Sequence, residues 1–185
     1  AIHDGNGYTS ARLVSSGKGD FLYGYFEARA RVPDGLGTWP AIWMLPTNNT
    51  YGVWPNSGEI DIMEHVGYDN NVIHGTVHTG AYNHMLGTQN GGSIGIPTAT
   101  SDFHLYAVNW TADKVEFYVD GILYHTFTND NSSNSANWSF DQEFHWILNL
   151  AVGGTWGGAG GAPIPSDYTP SNPQILEIDY VRVYQ

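Results

Sequence analysis

The 185 residues carry a formal net charge of −12 with only 6 Lys and Arg, a balance that opposes nucleic acid, anionic membrane surfaces and polyanionic substrates and favours a neutral partner. Cysteine is absent, which excludes disulfides and thiolate metal sites, and no apolar run approaches the ~20 residues that span a bilayer. Apolar residues at 41% and aromatics at 14% suffice for a globular core, and the length fits one domain, residues 1–185.

With 23 Gly and 9 Pro among short runs of Val, Ile, Tyr, Phe and Trp, a layered all-β fold is predicted. Asp4-Gly5-Asn6-Gly7 reads as a turn and residues 8–14 as a strand. Residues 22–32 follow as a two-faced strand, with Tyr23, Tyr25, Glu27, Arg29 and Arg31 on one parity and Phe26, Ala28 and Ala30 on the other. Residues 39–46 form a strand with Trp39 and Trp43 on a shared face. A loop carries Trp54 into the stretch Ser57-Gly58-Glu59-Ile60-Asp61-Ile62-Met63-Glu64-His65.

In that stretch Glu59 and Asp61 share a strand face, while Glu64 has the wrong parity. A one-residue bulge near Ile62-Met63 would return Glu64 to the face of Glu59, and bulges re-aim side chains beside active sites. Neighbouring carboxylates resist ionising together, so one holds its proton near neutral pH. A protonated acid beside an ionised one is what glycoside hydrolysis with retention requires, at a carboxyl separation of ~5 Å. Flat strand would separate Glu59 from Glu64 by roughly 13–16 Å at ~3.3 Å per residue, so a concave sheet is part of the expectation.

Strands are also predicted at residues 72–79, 103–110, 115–119, 122–127, 144–152 and 176–184. Asp120-Gly121 marks a two-residue hairpin turn. Gly91-Gly92 is placed in a long irregular loop, 128–139 in a surface loop and 153–161 in a flexible glycine-rich loop carrying Trp156. No helical periodicity or repeat is present, and short strands at this spacing imply a β-sandwich of jelly-roll type. Four tryptophans around one acidic strand suit sugar rings, which offer C–H faces and hydroxyl edges. His74 and His78 share a strand face with His84 just beyond. A histidine metal site is disfavoured without the HExxH pattern, and His78 is read as a hydrogen-bond partner of substrate or of a carboxylate.

Together these pieces resemble glycoside hydrolase family 16 in its laminarinase-like branch. The matches are Tyr8-Thr9-Ser10-Ala11-Arg12, Tyr23-Gly24-Tyr25-Phe26-Glu27-Ala28-Arg29, Trp39-Pro40-Ala41-Ile42-Trp43-Met44-Leu45-Pro46 and Trp54-Pro55 through Glu64. They continue in His78-Thr79, Phe103-His104, Asn149-Leu150-Ala151-Val152-Gly153-Gly154 and Asp179-Tyr180-Val181-Arg182-Val183-Tyr184. The resemblance implies a concanavalin-like jelly roll with a concave cleft and an endo-hydrolase of β-1,3-glucosidic bonds in neutral glucans. Mixed-linkage glucanase and a non-catalytic carbohydrate-binding jelly roll are the alternatives. It implies Glu59 as nucleophile, Glu64 as general acid/base and Asp61 tuning Glu59, with Arg12, Trp39, Trp43, Trp54 and His78 lining the cleft. It also implies a structural calcium ion held by Asp179 and action outside the cell or in the periplasm; a monomer is expected unless another chain supplies the family's earlier strands. The chain begins just before the Tyr8-Thr9-Ser10-Ala11-Arg12 segment, where family domains usually have earlier strands, so unpaired sheet edges and exposed core are expected. Ala1 to Gly5 carry neither the basic nor the apolar stretch of a secretory signal.

Overall fold

The computed structural model describes residues 1–161, 164–165 and 167–185. In chain order its strands are β1 (Ile2–His3), β2 (Tyr8–Thr9), β3 (Arg12–Val14), β4 (Asp20–Phe21), β5 (Gly24–Arg31), β6 (Thr38–Pro46) and β7 (Glu59–Glu64). They continue as β8 (Val72–His78), β9 (Asn90–Gly95), β10 (His104–Trp110), β11 (Lys114–Val119), β12 (Ile122–Thr128) and β13 (Phe144–Val152). One helical turn, α1 (Gly154–Gly157), precedes β14 (Glu177–Tyr184).

Side-chain alternation along these strands decides the layers. In β5, Phe26, Ala28 and Ala30 are fully buried, and in β6 Ile42 and Met44 are, so each strand turns one face inward and leaves the other for solvent or for a site. The result is a jelly-roll sandwich of two antiparallel sheets. One has seven strands in the order β3-β13-β6-β7-β8-β9, with β4 also on β13, and the other has the order β12-β11-β10-β5-β14. Ile42, Met44, Ile60, Ile62, Met63, Ile73 and Val77 of the larger sheet meet Phe26, Tyr106, Val108, Trp110, Val115, Phe117 and Val119 of the smaller in one core. The Asp120-Gly121 hairpin takes φ of 49° and 78°, the doubly positive conformation of a type I′ turn.

Several boundaries differ from the sequence reading. Residues 8–14 split into β2, which pairs with β1, and β3, which pairs with β13. Gly91-Gly92 lies in strand β9 rather than in a loop, paired along its length with β8. Glycine carries no side chain, so the period-2 signal was silent there; a Cβ on Gly92 would stand 2.8 Å from His125 and one on Gly91 2.7 Å from the Gly75 carbonyl. The stretch 153–161 contains α1, and Trp156 is half-buried; Ala162, Pro163 and Ser166 lie outside the described residues.

At one side of the sandwich the edges β3 and β14 expose Leu13 at 59%, Val14 at 48% and Val181 at 37%. A groove of about 430 Å³ lined by Leu13, Leu148, Ile175 and Ile178 runs between them. No helix among the described residues is long and apolar enough to cross a membrane.

Beneath the larger sheet, Gly75 of β8 opens space for the smaller one. A Cβ there would run into the Tyr124 hydroxyl and meet Phe117 Cδ1 at 2.6 Å. Gly75→Ala is therefore expected to lower stability by about 1–3 kcal/mol through overpacking, read as a lower midpoint in urea; an unchanged midpoint would show that the two rings yield freely.

Candidate active site

Strand β7 sets the site. Along β6 the partners run Ala41 with Glu64, Ile42 with Met63, then Trp43 with Asp61, so Ile62 is an extra residue opposite a continuous neighbour. The pairing with β8 jumps in the same place, from Asp61–Thr76 to Glu64–His74. This is the predicted bulge. Ile62 and Met63 are both buried in the core, while Glu59, Asp61 and Glu64 line one cleft of about 700 Å³ on the outward face. Two consecutive inward residues restore the parity that a regular strand would deny Glu64.

Each glutamate has its own indole donor. Trp54 Nε1 donates to Glu59 Oε2 at 2.7 Å, and Trp39 Nε1 donates to Glu64 Oε1 at 2.9 Å. His78 Nε2 stands 3.2 Å from Asp61 Oδ2 and 4.0 Å from Glu59 Oε1. Asp61 is the deepest of the acids, with its side chain 2% exposed. Burial drives the Glu59 and Asp61 carboxyls well above their ordinary range; the Asp61 charge adds to this for Glu59 and the Glu64 charge for Asp61, while the Trp54 N–H favours charge on Glu59. Burial raises Glu64 to about 7, with the Glu59 charge adding to it and the Trp39 N–H opposing it. Three acids this close and this dry titrate as a unit that retains protons at neutral pH.

Most of the residues expected in the cleft line it: Arg12, Trp39, Trp43 and His78. The Arg12 guanidinium lies 4.8 Å over the Trp43 ring, and Trp43 Nε1 donates to Asn149 Oδ1 at 2.7 Å. Trp54 stands beside them, against Glu59, His78 and His84 of the cleft. Its N–H is committed to Glu59, and its ring packs 4.9 Å from His84, so it positions an acid. The sequence reading gave no role to Asn149, which holds the Trp43 ring, and weighed His74 only as a metal ligand, whereas it pairs across the strand with Glu64. Trp156 packs edge-on against Trp39 at 5.5 Å and His74 at 5.0 Å, extending the aromatic lining. Strand parity placed His74 beside His78, but Asn149 lay in an apolar run that offered no polar pattern to single it out.

Asp179 sits far from this cleft at an irregularity in the β14–β5 pairing. Its carboxylate is paired with Arg29 at 2.6 Å, and among the described residues no cluster of three His, Asp or Glu ligands includes it.

The profile for glycosyl hydrolases family 16 matches residues 4–181. The chain belongs to glycoside hydrolase family 16. A β-glucanase of Rhodothermus marinus is 56% identical over 99% of this chain and 64% of its own length. A glucan endo-1,3-β-glucosidase A1 of Niallia circulans is 39% identical over 96% of this chain and 26% of its own. The chain thus spans under two thirds of both curated relatives. The X-ray structure of the laminarinase from Rhodothermus marinus superposes with a TM-score of 0.92 at 53% identity, covering 100% of this chain and 74% of that one. Within family 16, this chain's β7 acids stand in a cleft on the same jelly-roll scaffold.

The raised Glu64 value has a stability consequence. Its ordinary value of 4.5 becomes about 7 on folding, so the native state is fully favoured below pH 4.5 and loses stability as pH rises toward 7, where the unfolded chain has already released the proton. Glu64→Gln removes that loss. Its melting temperature is expected to exceed that of the parent at pH 8 and to match it near pH 4; equal differences at both pH values would remove Glu64 as the titrating group.

Proposed function

We propose that this chain hydrolyses internal β-1,3-glucosidic bonds of neutral, laminarin-type β-glucans with retention at the anomeric carbon. The observation that carries the reading is a row of three carboxyls in one cleft, in which two glutamates take separate indole donors and Glu64 is raised to about 7. A glutamic acid near that value still holds its proton for a leaving group around neutral pH.

In this reading Glu64 protonates the glycosidic oxygen as Glu59 attacks the sugar carbon, giving a covalent glycosyl-enzyme. Glu64, now ionised, takes a proton from water, and the hydroxide equivalent releases the sugar from Glu59. Trp54 N–H favours the charged form of Glu59. Asp61, the more buried partner, places its charge beside Glu59 and so tunes the nucleophile. The aromatic walls formed by Trp39, Trp43 and Trp156 present apolar faces to sugar rings. The names of the relatives, a β-glucanase, a glucan endo-1,3-β-glucosidase and a laminarinase, support a neutral glucan. So does the charge of −12, which disfavours sulfated polymers. A polymer that cannot enter a cell intact places the reaction outside the cytoplasm.

Reducing-end release from laminarin, with mixed-linkage glucan in parallel, tests the proposal. Glu59→Gln is expected to abolish turnover while oligosaccharide binding persists, and Glu64→Gln to lower kcat by about 10²–10⁴-fold. Because Glu64 must be protonated in the first step, the rate of that step should fall as pH rises through about 7. Turnover retained by Glu59→Gln would overturn the assignment, and faster release from mixed-linkage glucan would move the substrate to that class.

A further inference from the structure

We propose that Glu59, Asp61 and His78 also form a binding site for a borderline divalent cation of the zinc type, and that an ion there blocks the cleft by capturing Glu59. One ligand atom from each of the three lies within 4.8 Å of the others. The His78 Nε2 distances are 3.2 Å to Asp61 Oδ2 and 4.0 Å to Glu59 Oε1. Two ligands each ~2.1 Å from one zinc ion stand roughly 3.4 Å apart at the tetrahedral angle and at most about 4.2 Å apart. Small side-chain adjustments therefore close all three around one centre.

Two atoms are available for that contact. Trp54 occupies Glu59 Oε2, which leaves Oε1, the atom that faces His78. Asp61 Oδ2 is buried and has no hydrogen-bond partner among the described residues, despite its 3.2 Å approach to His78. An unpartnered acceptor buried among two other donor groups is an independent sign of a missing ligand there. The cleft is open to a fourth ligand, water or the His84 imidazole, which lines it with its ring centre 5.3 Å from that of His78.

The donor set selects the ion. One imidazole with two carboxylates suits zinc with an open position, whereas calcium and magnesium require more oxygen ligands than three residues supply. The surroundings also set the character of binding. A resident metal's histidine donates its second ring nitrogen to a carboxylate or carbonyl, but His78 Nδ1 is buried without a partner. The ion is accordingly reversible and removable by a chelator, and it competes with glucan for Glu59.

The binding arm stands independently of the hydrolase reading, and only the inhibition arm rests on it. Zinc chloride titrated calorimetrically into chelator-stripped protein is expected to show one saturable site per chain. The site should weaken at least tenfold in His78→Ala and in Glu59→Gln, and calcium chloride should give no saturable heat. Glu59→Gln keeps the side-chain volume, so the test survives if His78→Ala fails to fold. In laminarin hydrolysis zinc should raise the apparent KM without changing kcat, and a chelator should reverse this. Absence of a saturable zinc site, or a site unchanged in both variants, would overturn the proposal. Saturable binding lost in the variants, in a protein that cleaves no glucan, would instead uphold the metal site and remove the hydrolase reading.

Discussion

The extra residue in β7 is the constraint on which the site depends. A regular strand alternates faces with a period of two, so Glu59 and Asp61 could share a side but Glu64 could not join them. Inserting Ile62 opposite continuous partners on both β6 and β8 sends two successive apolar side chains into the core and turns the third acid outward. The bulge is held by hydrophobic burial on one face, and it concentrates carboxyl groups on the other. Because those groups are also desolvated, their mutual repulsion is only weakly screened, and protons are retained where free carboxylates would have lost them.

The acids are then told apart by what donates to them. Trp54 reaches Glu59 from the loop before β7, and Trp39 reaches Glu64 from the neighbouring strand. His78 stands over Asp61 and Glu59 from β8. An indole combines a large apolar face with one N–H, so the same residue type can line a sugar cleft and stabilise a carboxylate. Trp39 does both. The cleft is therefore built by cross-strand register as much as by the acidic strand itself, with β6, β7, β8 and β13 each contributing side chains.

Support comes from below. The smaller sheet packs Phe117 and Tyr124 up against Gly75, beside the bulged segment, and any side chain at that position would meet them. The outer edges are less protected, with exposed apolar residues on β3 and β14. The contrast follows from topology, because β7 lies in the middle of its sheet with a partner on each side, whereas β3 and β14 are paired on one side only.

The sequence by itself determined the fold class, the paired faces of β5 and β6, the hairpin at Asp120-Gly121 and the bulge in β7, since alternation and turn chemistry are local properties written in consecutive residues. It also singled out Glu59, Asp61, Glu64, Trp39, Trp43 and His78, because acids and aromatics in such strands stand out against their neighbours. Only the tertiary structure decided that Trp54 donates to Glu59, that Asn149 anchors Trp43, that Asp179 pairs with Arg29, and that Gly91-Gly92 belongs to an edge strand. Each of these depends on which residues meet across strands distant in the chain, and for the glycines on a backbone pairing that no side chain reports. The pattern of one strand sets which way a side chain points, but register between strands sets what it touches.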